Sequence, residues 1–409
     1  MGVGGVLIQG PKWCGKTTTA EQQAKSIVYM DDPEYMNQNI ALAGLSPKRL
    51  LAGETPRLID EWQLAPQLWD AARFEIDHRN EEGQFIFTGS SVPVDTDKIH
   101  HSGTGRFAWL TMRTMSLFES GESTGEVSLN DLFCKPDLEI FGTNGLNIDS
   151  LAWLICRGGW PRAITARKEV ALDMAYRYYE AVVNNDISRV DNIKRDAERA
   201  KRLLRSIARN QCAQLPVNTI ICADIESNDT IATNRMTVSS YIEALKKIFV
   251  LEDSPAWNPN LRSKTAIRTS ETRYFSDPSI GIAALGVGPN DLINDLSTMG
   301  LFFESMCIRD LRVYADALDG SIYHYRDSNG QECDAVIHLR NGNYGLIEIK
   351  LGGDKNIEEG AENLKSLASK IDTTKMKAPS FLMVLTGTSK YAFQRKDGVY
   401  VVPIGCLKH

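Results

Sequence analysis

Val6-Leu7-Ile8-Gln9-Gly10-Pro11-Lys12-Trp13-Cys14-Gly15-Lys16-Thr17 is the stretch on which the reading of this chain turns. Its apolar opening suits a buried strand, and the eight residues from Gly10 fit GxxxxGK[ST] at every fixed position. Thr18-Thr19-Ala20-Glu21-Gln22-Gln23-Ala24-Lys25 follows with good helix formers and neither Gly nor Pro. Strand, glycine-bearing loop and helix N-terminus thus come in the order a phosphate-binding loop requires. Glycines let backbone N–H groups close on phosphate oxygens, and the helix dipole favours the negative charge. The motif therefore predicts contacts to ATP from Gly10, Pro11, Lys12, Trp13, Cys14, Gly15, Lys16, Thr17 and Thr18. Lys16 would meet the β and γ oxygens, and Thr17 would hold Mg2+.

Working outward, Ile27–Met30, Arg57–Glu61 and Phe85–Ser91 read as further apolar strands, with Leu68–Arg79 as a helix. Strands alternating with helices predict a parallel α/β sheet, whose ligands sit at the carboxyl ends of the strands. Asp60 and Glu61 end one strand: Asp60 would complete the Mg2+ shell, and Glu61 would orient or deprotonate the attacking water. The same pair would also serve as a helix N-cap. Thr88, Ser90 or Ser91, ending another strand, would sense the γ-phosphate, although a small-polar turn has the same appearance. Ser102-Gly103-Thr104-Gly105-Arg106 puts an arginine in a Gly-rich loop, so Arg106 is predicted to reach a transition-state phosphate, in cis or across a subunit boundary.

At 409 residues the chain calls for two to four domains. A net charge of -6, from 46 basic and 52 acidic residues, excludes a globally basic nucleic-acid coat but leaves room for a locally basic module. Eight cysteines without a CxxC pair suggest neither a zinc site nor a disulfide framework, and point to reduced, cytoplasmic thiols. No apolar run approaches the length of a membrane span.

After about residue 148 helical character sets in, and Arg157 and Arg162 flank a Gly-Gly-Trp-Pro turn, where they are read as structural, with contact to nucleotide from a lid as the alternative. From Ala197 the pattern becomes three short helices, the second at 218–225 and the third at Thr237–Phe249, and then a hairpin bracketed by Phe249–Leu251 and Arg273–Phe275. That is a winged-helix pattern. Its wing carries Arg262, Lys264, Arg268 and Arg273 against Glu271, a charge suited to DNA phosphates or to packing against another domain. In the last module, Gly330–Leu339 and Tyr344–Leu351 flank Arg340-Asn341-Gly342 as a hairpin. Alternation sets Cys333, Ala335, Ile337 and Ile347 on one face and Asp334, Glu348 and Lys350 on the other. Asp334 should oppose Glu348, a pair able to hold a divalent cation with Lys350 beside it.

GPKWCGKT, LIDEWQ followed by Ala65-Pro66, FIFTGSS, SGTGRF and RGGWP, in this order, resemble the bacterial and archaeal AAA-type ATPases whose C-terminal half is known only as a domain of unknown function. The resemblance covers nearly the whole chain, although those relatives carry about one helix before the first strand and this chain reaches it almost at Met1. It implies a AAA-like ATPase core over 1–147, a helical connector over 148–195, a winged helix over 196–292 and a nuclease-like domain over 293–409. The spacing D-x13-E-x-K resembles the PD-(D/E)xK core of α/β restriction-endonuclease-like folds, with Glu304 on the helix Leu301–Tyr314 as the added acidic residue. The expected activity is ATP hydrolysis coupled to a DNA-directed module, with metal held by Asp334 and Glu348. The alternative is a nucleotide-controlled switch that binds protein or DNA through a catalytically silent nuclease-like domain. Oligomerisation is compatible with either, and no membrane partner is expected.

Overall fold

The apolar run before the loop forms β1 (Gly5–Gln9), an interior strand of a parallel sheet with β2 (Ser26–Tyr29), β3 (Arg57–Asp60), β4 (Phe85–Gly89) and β5 (Phe107–Thr111). The strand order is β2-β3-β4-β1-β5, so β4 separates the loop strand from the strand carrying Asp60. This computed structural model describes residues 2–91, 103–135, 138–191, 193–212, 221–222, 235–260 and 270–409. Leu7, Ile59, Trp62, Trp69, Phe85, Phe87 and Phe107 fill one face of the sheet, with Trp69 stacked on Phe107 at 4.0 Å. Burying such rings removes large apolar areas from water and fixes the strands that end at the loop.

By contact the chain falls into two compact units. One compact unit takes the chain to Thr114 with Ala181–Ala197 and Ser240–Val250; the other takes Met115–Glu180, Glu198–Ser239 and Leu251–His409. Residues 115–147 belong to the second unit: β6 (Val127–Ser128) pairs with Leu407–Lys408, and β7 (Gly142–Thr143) extends the large sheet near the C-terminus. Two-residue strands carry no periodicity by which sequence could have assigned them. The 148–195 and 196–292 segments are likewise each divided between the units.

In the second unit β8 (Leu251–Ser254) and β9 (Thr272–Phe275) form the expected antiparallel ribbon. Arg262, Lys264 and Arg268, most of the expected helix at 218–225, and Ser102 lie outside the described residues. Arg273 is committed elsewhere: it binds Asp253, its cross-strand neighbour, through Nε and Nη2, each at 2.9 Å.

The large sheet of this unit runs β10-β11-β12-β13-β15-β14-β7. Here β10 (Gly320–Arg326), β11 (Glu332–Leu339) and β12 (Tyr344–Lys350) are antiparallel, while β13 (Phe381–Thr386) and β15 (Tyr400–Pro403) continue in parallel. β14 (Tyr391–Gln394) is antiparallel to β15, and β16 (Leu407–Lys408) closes the chain beside β6. Helix Leu296–Ala317 precedes β10, and helix Asp354–Lys370 joins β12 to β13. The RGGWP turn is an anchor: Gly159 N–H donates to Asp277, Trp160 Nε1 donates to Ser279, and Arg157 pairs with Glu122. Arg157 is thus buried among structural partners.

Candidate functional site

The loop leaves β1 through Gly10, whose φ of +152° suits glycine. A Cβ there would stand 2.0 Å from the carbonyl oxygen of Met112. Gly15 caps the helix Lys16–Glu21, and Lys16 is buried with its ammonium donating to the carbonyls of Gly10 at 2.9 Å and Pro11 at 2.7 Å. Cys14 is buried with its thiol bonded to Met112 O at 3.5 Å, and burial raises its pKa. Trp13 stands exposed at φ 66°, while Thr18 is exposed on the first helical turn. Lys12 reaches away from the loop and pairs with Asp186 at 2.7 Å.

Asp60, at the end of β3, accepts hydrogen bonds from Thr17 Oγ1 at 2.8 Å and from Thr88 Oγ1 at the end of β4. Burial raises its pKa, and the two hydroxyls work against that rise. Glu61 follows in the left-handed region at φ 53°, and its carboxylate accepts from Gln63 Nε2 and from Ser90 Oγ at 3.0 Å. Its pKa is also raised by burial, with Gln63 opposing. Trp13 and Glu61 are non-glycine residues at positive φ around one loop, a strain of roughly 1–3 kcal/mol each that persists where surroundings over-determine it. The two hydroxyls on Asp60, the buried ammonium and the glycine turn form a donor set that fits a phosphate chain with Mg2+.

Arg106 is elsewhere. Its backbone carbonyl accepts from Gly5 N–H, and Phe107 pairs with Gly5 while Thr111 pairs with Gln9, so Arg106 lies at the amino end of the sheet. The loop lies at the carboxyl end, about four strand residues or roughly 13 Å away. Its Nε binds Asp77 at 2.8 Å. The cis form of the arginine expectation is therefore incorrect; only contact from another subunit is compatible with this register.

The C-terminal residues do converge. Ala335 pairs with Ile347 and Leu339 N–H donates to Asn343 O, which leaves Arg340-Asn341-Gly342 as the turn, with Gly342 at φ 82°, and puts Asp334 opposite Glu348. Lys350 Nζ sits 2.6 Å from Glu348 and 3.4 Å from Asp334, whose carboxylate also accepts Ile349 N–H at 2.7 Å. Their strand face is not polar, however: it carries Val336 and Leu346, covered by Ala361, Leu364 and Leu367 of helix Asp354–Lys370. Sequence reasoning missed Asn363, which donates to Glu348 at 2.7 Å, and Tyr274, whose hydroxyl donates to Glu304 at 2.8 Å. Neither carries a motif that would have shown it. Glu304 and Asp334 line a cavity of about 210 Å³ with Tyr274 and Cys212. Burial, and then Asp334, raise the pKa of both Glu304 and Glu348. Burial disfavours the Lys350 charge, but Asp334 and Glu348 outweigh it and raise its pKa. Among the described residues, no three His, Cys, Asp or Glu side chains form a metal-holding group.

Residues 4–120 match the AAA domain family, residues 148–291 match a domain of unknown function (DUF8612), and residues 299–407 match another (DUF4143). With the loop geometry, the first match makes this part of the chain an AAA-type, ATP-binding P-loop domain. No curated protein matches the chain. Among solved structures it is similar to the Orc1 protein of Aeropyrum pernix in complex with DNA, at 14% identity over 72% of this chain and 87% of that one, TM-score 0.25. It is also similar to Cdc6p from Pyrobaculum aerophilum, at 13% identity over 71% of this chain and 88% of that one, TM-score 0.22. Among the described residues no helix is long and apolar enough to cross a membrane.

Proposed function

We propose that the chain hydrolyses ATP in its first unit and uses the nucleotide state to govern a nucleic-acid-directed second unit. The observation that carries the hydrolytic reading is the chain Thr17–Asp60–Thr88 with Glu61 beside it, held by Ser90 and Gln63. Bound Mg2+ would supply charge neutralisation at the β and γ oxygens. Thr17 and Asp60 would hold it, Lys16 would turn from the Gly10 and Pro11 carbonyls to phosphate, and Glu61 would accept a proton from the attacking water. Its raised pKa brings it closer to that task at neutral pH.

For the second unit, helix, three antiparallel strands, helix and parallel strand follow in the order of a PD-(D/E)xK core, and Asp334, Glu348 and Lys350 share its centre. The β8–β9 ribbon supports a winged helix, and DNA is the favoured partner. Asp334 and Glu348 are oxygen donors of the kind Mg2+ takes. The double ion pair of Lys350 favours a second reading, a silent domain that binds DNA or protein, because its ammonium already occupies the place between the two carboxyl groups.

The test incubates pure protein with plasmid and Mg2+ or Mn2+, with and without ATP, and follows phosphate release and nicking. Lys16→Ala should lose phosphate release and the effect of ATP on nicking while retaining the ATP-independent nicking, whereas Asp334→Ala should keep phosphate release and lose nicking. Wild type that releases no phosphate refutes the ATPase; wild type that releases phosphate and never nicks selects the silent domain.

A further inference from the structure

Lys12 lies two residues into the phosphate loop, yet its ammonium sits 2.7 Å from Asp186 Oδ1. Asp186 is buried, and it ends a π-helical turn, Val182–Asp186, which belongs to the same compact unit as the loop. A π turn spoils regular helix geometry and is frequent where a side chain must be presented for function. A buried carboxylate is costly unless a cation compensates it. Here the compensating cation comes from the one segment of the unit built to meet phosphate, and Lys12 is itself half-exposed.

We propose that Lys12 reads the γ-phosphate of the bound nucleotide and that Asp186 competes with that phosphate for the same ammonium. The inference rests on the ATP-binding reading of the loop. A triphosphate sets more negative charge beside Lys12 than a diphosphate does, so ATP draws the ammonium off Asp186 and ADP leaves it there. Asp186 is then a buried charge without its counter-ion, which loosens the π turn. The next residue is tied in: the Ile187 carbonyl accepts from Arg195 Nη1 at 2.9 Å, and Arg195 also donates to Ser240 O at 3.3 Å. Loss of the γ-phosphate is thereby reported to residues 182–187, to Arg195 and to Ser240 within one unit. Linkage makes the coupling reciprocal, so the strength of the Lys12–Asp186 pair sets how far ATP is preferred over ADP.

The experiment measures, by calorimetry with Mg2+, the affinity ratio between a non-hydrolysable ATP analogue and ADP. Lys12→Gln should lower the preference for the triphosphate about tenfold, as expected for one charge-assisted contact. Asp186→Asn should raise it, and the double variant should match Lys12→Gln alone. In wild type, amide exchange over 182–190 should be faster with the ATP analogue than with ADP, and Lys12→Gln should abolish the difference. A ratio unchanged in Lys12→Gln, or lowered in Asp186→Asn, overturns the proposal, since a merely structural ion pair weakens both nucleotides alike. Wild type that binds neither nucleotide refutes the loop reading itself; wild type that binds both, with a ratio indifferent to Lys12, refutes this inference alone.

Discussion

Replacing Asp60 by Asn separates what this carboxylate does for the fold from what it does for the nucleotide. Asn has the same shape, and its carbonyl oxygen can still accept from the Thr17 and Thr88 hydroxyls that now bind Oδ1. Two bonds to a charged acceptor become two to a neutral one, a loss of about 1 kcal/mol each. Against this, the substitution relieves the desolvation that raises the Asp60 pKa, an opposing term of the same order. Nucleotide-free stability should therefore change by less than about 1 kcal/mol, or about 2–4 °C in Tm on the scale for domains of this size. The nucleotide-dependent part behaves differently. At a ligand concentration 100 times Kd, binding adds about 2.7 kcal/mol to wild-type stability; a hundredfold loss of affinity leaves about 0.4 kcal/mol. Thermal unfolding with and without MgATP, with EDTA as control, should show a wild-type rise of roughly 5–10 °C that falls to about 1 °C in Asp60→Asn. A large drop in the nucleotide-free Tm together with a wild-type-like MgATP shift would show that Asp60 holds strands together rather than a cation.

Glu61→Gln should still bind ATP and hydrolyse it at least about a hundredfold more slowly, because an amide cannot take the water's proton; failure to bind ATP in a filter assay would make Glu61 structural. In the second unit, Glu304 and Glu348 are raised from 4.5 to about 8 by burial and then by Asp334. The folded state thus holds these protons more tightly than the unfolded chain, and the stability this gives is complete below pH 4.5 and lost as pH rises through about 8. Denaturant melts of the chain should lose stability across that window and Glu348→Gln should flatten the loss; a pH-independent midpoint would show that the two carboxyls are not shifted.

The loop was legible because its chemistry is compressed into contiguous residues: Gly10, Gly15, Lys16 and Thr17 each answer to a fixed demand of phosphate. Asp334 and Glu348 were legible for another reason, since a short Gly-containing turn fixes hairpin register and register fixes which side chains face each other. What failed depended on distant partners. Phe107–Thr111 was not among the strands expected, yet it pairs with β1, and that pairing moves Arg106 to the wrong end of the sheet for its own phosphates. Residues 115–147 join strands near the C-terminus, and Asp186 meets Lys12 across 174 residues of chain. No local pattern encodes such contacts.

The two sites handle charge in opposite ways, and this bears on what each must bind first. Around Lys16 the nearest hydrogen-bond partners are the neutral carbonyls of Gly10 and Pro11, so an arriving phosphate meets an ammonium not held in an ion pair, although Asp60 and Glu61 feel its charge. The first site can therefore attract its anion directly. Lys350 instead lies between Glu348 and Asp334, with Glu304 nearby, so the cluster offers an incoming phosphodiester no net positive charge. A divalent cation taking the place of the ammonium between the carboxylates would reverse that balance and free Lys350 to face the scissile phosphate. Nucleic acid should consequently depend on prior cation binding at the second site, whereas nucleotide at the first needs Mg2+ for turnover more than for encounter.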